Sequence, residues 1–167
     1  MSVLYATFLL VLFTDAVSKY WIQGHLQLIT TSAATYPYGG IGVFKDFFGI
    51  EFSLVHAINK GAAWSIFSDH TTLLLYLRIG LIGLLLYYFY KQKSFFVRLP
   101  LALIIAGALG NVIDIFLYGH VIDMFHFIFW GYDYPVFNVA DSFIFIGVVL
   151  YLIFSKKAAH DTSCASE

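Results

Sequence analysis

The sequence predicts an all-α membrane protein, with four transmembrane helices and a small β-rich cradle between the first and the second. Three observations carry this reading. Of the 167 residues, 60% are hydrophobic and only 11% charged, whereas a soluble domain carries about 25% charged residues. Four apolar segments have the length of about 17–25 residues that a bilayer crossing needs. Lysine and arginine gather in alternate connections, which is the asymmetry that sets orientation.

The first span covers residues 3–22. It lacks a basic n-region and carries Asp15 and Lys19 where a cleavable leader has small neutral residues, so it reads as a retained helix. The second span, 71–90, is interrupted only by Arg78, and the third, 97–117, has Pro100 near its start, where a helix tolerates proline. The fourth, 137–154, stops at Ser155-Lys156-Lys157. Together they make one membrane domain over 1–157, with a polar tail at 158–167. Lys91, Lys93 and Arg98 follow the second span, and Lys156 and Lys157 follow the fourth, so both sites and both termini are expected in the cytoplasm. The connections 23–70 and 118–136 then face the other side, which in a bacterium is the periplasm. In the first of them, Ile41 to Val55 is rich in aromatic and β-branched residues broken by glycines, which favours short strands. Upstream, Tyr36-Pro37-Tyr38-Gly39-Gly40 reads as a turn or a flexible hinge. Trp21, Trp64, Trp130 and Tyr132 suit the headgroup level.

Composition also excludes whole classes. A net charge of −1 with no run of like charges gives no face for nucleic acid. Cys164 is the single cysteine, so neither an intrachain disulfide nor a CxxC motif exists. No HExxH and no serine elbow is present. His120, Asp123 and His126 are spaced by three, but on a straight helix that spacing sweeps about 300° and the outer pair converges poorly on a metal. No metal or cofactor is expected. Asp133 reads as a solvated loop residue.

What remains is the set of acids. A carboxylate in or near hydrocarbon costs about 2.5–3.5 kcal/mol even on a lenient scale, so each one needs a reason. Asp15 and Asp114 come late in outward-running spans and Asp141 comes early in an inward-running one, so together with Asp123 they can meet at one depth. Asp15 and Lys19, Asn111 and Asp114, and Asn138 and Asp141 are three or four residues apart and each pair shares a helix face. Singly such pairs would also serve as polar clamps between helices. Two facing carboxylates can instead share one proton and activate a water for attack on a peptide carbonyl.

Four stretches resemble the lipoprotein signal peptidase (signal peptidase II) family. Asn59-Lys60-Gly61-Ala62-Ala63-Trp64-Ser65-Ile66-Phe67 is similar to its signature in the first long loop. Gly110-Asn111-Val112-Ile113-Asp114 resembles its Gly-Asn-x-x-Asp-Arg motif, Val121-Ile122-Asp123-Met124-Phe125 its Val-Val-Asp-Phe-like motif, and Phe137-Asn138-Val139-Ala140-Asp141 its Phe-Asn-x-Ala-Asp motif. Order, spacing and four-span topology agree over nearly the whole chain.

The resemblance implies an aspartyl endopeptidase of the bacterial inner membrane with Asp123 and Asp141 as catalytic pair, its site near the periplasmic face. The implied substrates are diacylglyceryl-modified prolipoproteins, cut just before the lipidated cysteine. Asp15, Lys19, Asn59, Gly61, Asn111, Asp114, Asn138 and Ala140 match positions that bind substrate or support the site, and the loop before Asn59 is similar to a β-cradle lying on the membrane. The chain is expected to act as a monomer in contact with membrane lipid. Ile115 stands where the family motif has arginine. Arg78, deep in the second span, either reaches outward to the interface or supplies the missing charge to Asp114 or Asp15. A small proton-coupled carrier would use the same buried acids, but it should place them at the midplane or show internal repeats, and neither feature is present.

Overall fold

Four helices set the frame: α1 (Ser2–His25), α2 (Thr71–Lys91), α3 (Phe95–Tyr118) and α4 (Val139–Cys164). The computed structural model describes residues 2–29, 35–60 and 71–164, with the backbone alone for Thr71 and beyond Ser155. Gly61 and Trp64 lie outside the described residues. α1, Thr72–Lys91 of α2 and α3 are long and apolar enough to cross a membrane, and the apolar part of α4 runs over Val139–Ser155. Each expected span thus falls on a helix. α4 continues beyond Lys157, through most of the stretch expected as a polar tail. Pro100 lies inside α3, which starts earlier than expected, at Phe95, and closes on Gly119. There a φ of 75° lets the Gly119 N–H reach the Ile115 carbonyl at 3.0 Å.

Polarity in the bundle is inverted relative to a water-soluble protein. Leu9, Phe13 and Tyr20 of α1, Tyr76 and Leu84 of α2, and Phe145 and Leu152 of α4 are exposed. Asp15, Lys19, Asn111, Asp114 and Asn138 are buried. Apolar faces outward and ionisable groups inward is the arrangement that lipid selects. The protein is integral to a membrane.

α3 is the central helix, packed against α1, α2 and α4. Small residues let it approach α4 closely. A Cβ at Gly107 would lie 2.5 Å from the Ala140 carbonyl oxygen, and one at Gly147 would lie 2.7 Å from Ile104 Cγ1. Without an apolar driving force between helices in lipid, such close backbone approach supplies the association energy through dispersion.

The remaining elements form one antiparallel sheet in the order β1 (Ile41–Phe47), β2 (Ile50–Asn59), β3 (Val121–Phe129) and β4 (Tyr132–Asp133). The strands expected between Ile41 and Val55 are present. The connection 118–136 was not expected to join them, yet β3 pairs with β2 from Ile50↔Phe129 to Asn59↔Val121. Both hairpins turn on an aromatic–glycine pair at positive φ: Phe48 (54°) with Gly49 (80°), and Trp130 (49°) with Gly131 (81°). Two-residue turns with positive φ at both positions match the twist of the strands. They are usually Asn-Gly, and an aromatic in the first place hides the signal.

Asp133 is exposed as expected, but it also pairs with buried His126 (Nε2 to Oδ1, 2.6 Å) and so ties β4 to β3. His120, Asp123 and His126 are not on a helix, since Val121–Phe129 is strand, and the described residues hold no group of metal-ligating side chains.

Candidate active site

Asp123 and Asp141 come from different layers of the fold. Asp123 is the third residue of β3, beside a bulge in which β2 spends three steps, Leu54 to Ala57, against two on β3, Phe125 to Asp123. Bulges of this kind re-aim side chains next to functional sites. Asp141 is in the first turn of α4.

Local sequence builds the α4 end. Asn138 caps the helix: its Oδ1 accepts the Asp141 N–H at 2.9 Å, and Asp141 Oδ2 accepts the Asn138 N–H at 3.3 Å. This is a capping box with Asn and Asp in the two roles. The Ala140 N–H, a further unpaired donor of that first turn, goes to Asp15 Oδ1 at 2.9 Å.

The Asn138 amide then joins the two aspartates. Its Nδ2 donates to Asp123 Oδ1 at 2.7 Å, to Asn111 Oδ1 at 3.0 Å and to the Ile122 carbonyl at 3.3 Å. Asn111 Nδ2 donates to Asp141 Oδ1 at 2.8 Å, and Asn59 Nδ2 donates to Asp123 Oδ2 at 3.0 Å. Each aspartate therefore has both oxygens held by N–H groups. Asn138 is wholly buried and Asp123 nearly so. Burial, and then the neighbouring Asp141 carboxylate, push Asp123 from 3.8 up to about 7.

The charge balance is set behind the two aspartates. Lys19 Nζ lies 2.7 Å from Asp15 Oδ2, 2.7 Å from Asp114 Oδ2 and 3.1 Å from Asn111 Oδ1. An ammonium has three N–H donors, and all three are used. The cation at Asp114 is thus Lys19 of α1. Asp114 Oδ2 also accepts the Ile122 N–H at 3.3 Å, which pins the start of β3 to the end of α3.

Of the residues singled out from the sequence, Asp15, Lys19, Asn59, Asn111, Asp114, Asp123, Asn138, Ala140 and Asp141 come together in this one network. Gly61 lies outside the described residues. Gly110 stands in the same motif as Asn111 but has no side chain to signal a role. A Cβ there would fall 2.7 Å from Asp15 Oδ2, so glycine makes the room in which Asp15 meets α4. A groove of about 560 Å³, walled by Phe127, Phe129, Tyr134, Phe137 and Phe145, opens onto Asp141. Its aromatics lie on β3, on the segment between β4 and α4, and on α4; Phe127, Phe129 and Tyr134 belong to the stretch 118–136 expected as a connection, and Phe137 to the start of the expected fourth span.

Fold and site together define an integral membrane protein with a carboxylate-rich polar centre buried among its helices. The family model described as signal peptidase (SPase) II matches residues 7–157, and the chain belongs to that family. It is similar to proteins named lipoprotein signal peptidase from Staphylococcus aureus strains JH9 and Newman, with 42% identity over 111 residues. That alignment covers 65% of this chain and 66% of the relatives' length. A bacterial membrane enzyme solved by the in meso method at 2.3 Å superposes with a TM-score of 0.78 and 31% identity, over 96% of this chain and 92% of the other. A second such enzyme, solved at 1.9 Å, gives 0.73 and 32%, over 92% of each chain.

Proposed function

We propose that this chain is an intramembrane aspartyl endopeptidase that removes signal peptides from diacylglyceryl-modified prolipoproteins, cutting just before the lipidated cysteine. The observation that carries the reading is the joining of Asp123 and Asp141 through Asn138, one carboxyl held by its side-chain amide and the other by its backbone N–H.

Asp123, with its proton retained to about pH 7, acts as the acid, and Asp141 acts as the base. Asp141 takes a proton from water, the oxygen attacks the scissile carbonyl, and Asp123 gives its proton to the carbonyl oxygen. The resulting gem-diol collapses as the proton on Asp141 passes to the leaving nitrogen, and a diol proton returns to Asp123. The products are a signal peptide ending in a carboxylate and a lipoprotein with a free amino group on its cysteine. Neither metal nor cofactor takes part. Asn59, Asn111 and Asn138 hold the carboxylates, while Lys19, Asp15, Asp114 and Ala140 fix the helix ends behind them. Gly61 is assigned to substrate support by its motif alone.

In this reading α4 is the fourth span and both termini are cytoplasmic. The sheet is the cradle at the periplasmic face of the inner membrane. The aromatic groove beside Asp141 takes the apolar flank of a substrate that arrives laterally, and the enzyme works as a monomer. The test is cleavage of a diacylated precursor by the purified protein in detergent. Asp123→Asn and Asp141→Asn should each abolish it while chelators leave it unchanged. Near wild-type rates in either variant would overturn the aspartyl mechanism.

A further inference from the structure

At the end of the bundle away from the aspartates, α1, α2 and α3 enclose a cleft of about 200 Å³. Leu4, Phe8, Leu86 and Ile105 form its apolar walls, and Arg98 is its charged lining residue. Sixteen residues of α3 separate Arg98 from Asp114, about 24 Å at about 1.5 Å per residue. The cleft is therefore separate from the site described above.

The Arg98 guanidinium carbon sits 4.4 Å from the centroid of the Phe89 ring, a cation–π contact that fixes the side chain against the wall. Exposed Tyr5 and Tyr90, both lining the cleft, lie near the ends of α1 and α2, and tyrosine at the end of an apolar helix favours the boundary between hydrocarbon and headgroups. Lys91 directly follows Tyr90 and is itself drawn over the Tyr87 ring at 5.4 Å. Charge is one-sided here: from residue 70 to residue 113 the chain has no Asp or Glu, but it has Arg78, Lys91, Lys93 and Arg98.

We propose that this cleft is a binding site for an anionic glycerophospholipid, with an acyl chain along the apolar walls and its phosphodiester on the Arg98 guanidinium. A planar guanidinium offers two parallel N–H groups to a phosphate, and its fixed positive charge favours a headgroup of net negative charge over a zwitterionic one, whose own ammonium it repels. Basic clefts between membrane helices take anionic headgroups on the same principle. The site stands independently of the reaction proposed for the aspartates.

Native mass spectrometry of the full chain, delipidated and then offered equal phosphatidylglycerol and phosphatidylethanolamine, tests the proposal. Wild type should retain one phosphatidylglycerol about fivefold over phosphatidylethanolamine, and Arg98→Gln should lose that preference. Arg98→Lys should keep part of it. Lys93→Gln, outside the cleft, should keep nearly all of it. Melting temperature in detergent shows whether each variant is folded. Equal retention of both lipids by wild type would mean filling by acyl chains alone and would overturn the proposal. So would equal losses in Arg98→Gln and Lys93→Gln, which would mean diffuse attraction, or a dimer that excludes lipid from the cleft.

Discussion

Replacing Asp123 by asparagine should stabilise the protein in alkaline solution and destabilise it in acid. In the fold Asp123 is held from 3.8 up to about 7, chiefly by burial and next by Asp141. The native state therefore binds more protons than the unfolded chain between those values, and wild-type stability falls as pH rises through that window. At about 1.4 kcal/mol per pH unit, the full cost above pH 7 is about 4 kcal/mol. The neutral asparagine side chain carries no such cost. It does bring an amide that faces the Asn59 or the Asn138 donor, and one hydrogen bond lost in this way costs about 1–3 kcal/mol. The variant should therefore gain about 1–3 kcal/mol at pH 8, and should lose about 1–3 kcal/mol near pH 4, where wild-type Asp123 is already neutral. Thermal unfolding in detergent at the two pH values reads the difference directly. A difference of the same sign and size at both would refute the reasoning, because it would show that Asp123 carries no protonation cost in the fold.

Three further outcomes follow from the geometry. Lys19→Met leaves Asp15 and Asp114 buried without their cation and should cost about 3–5 kcal/mol, read as a lower melting temperature or loss of folded protein. Gly110→Ala pushes a methyl to 2.7 Å from Asp15 Oδ2 and should cost about 1–3 kcal/mol together with cleavage rate, whereas Gly80→Ala, with open space around it, should be tolerated in both assays. A reporter active only in the periplasm should work near Gly40 and near Tyr132 and fail after Lys93 or Lys157; the reverse pattern would invert the proposed orientation.

The helices were legible because hydrocarbon leaves few alternatives. Runs such as Leu101 to Gly110 can satisfy their backbone in lipid only by coiling, and Gly119 marks the stop. The acids were legible for the same reason, since each buried charge stands out against its apolar neighbours. The sheet was half legible. Ile41 to Val55 shows glycine-broken β-branched character, but Val121 to Phe129 is almost continuously apolar, a pattern that does not separate strand from helix or from a buried connection. Its Trp130-Gly131 turn lacks the asparagine that announces a hairpin. The partner of Asp114 was also hidden, because spacing pairs Lys19 with Asp15 four residues away but says nothing of a contact from α1 to α3.

The proposed dyad of Asp123 and Asp141 is divided between a strand and a helix, and this explains why so much of the polar network lies behind it. Asp123 can face Asp141 only while β3 stays docked on the ends of α3 and α4. Among the contacts that hold it there are four at the start of the strand or near it: the Ile122 N–H on Asp114, the Ile122 carbonyl and the Asp123 carboxylate under the Asn138 amide, and the pairing of Phe125 with Phe137. Three of the four depend on Asp114 or Asn138. Asp114 is in turn neutralised by Lys19, and Asn138 is locked by capping α4. Residues that read singly as helix clamps thus act together to bring a sheet carboxylate to a helix carboxylate, and the polar groups that a lipid-embedded fold can least tolerate are the ones that assemble the proposed dyad.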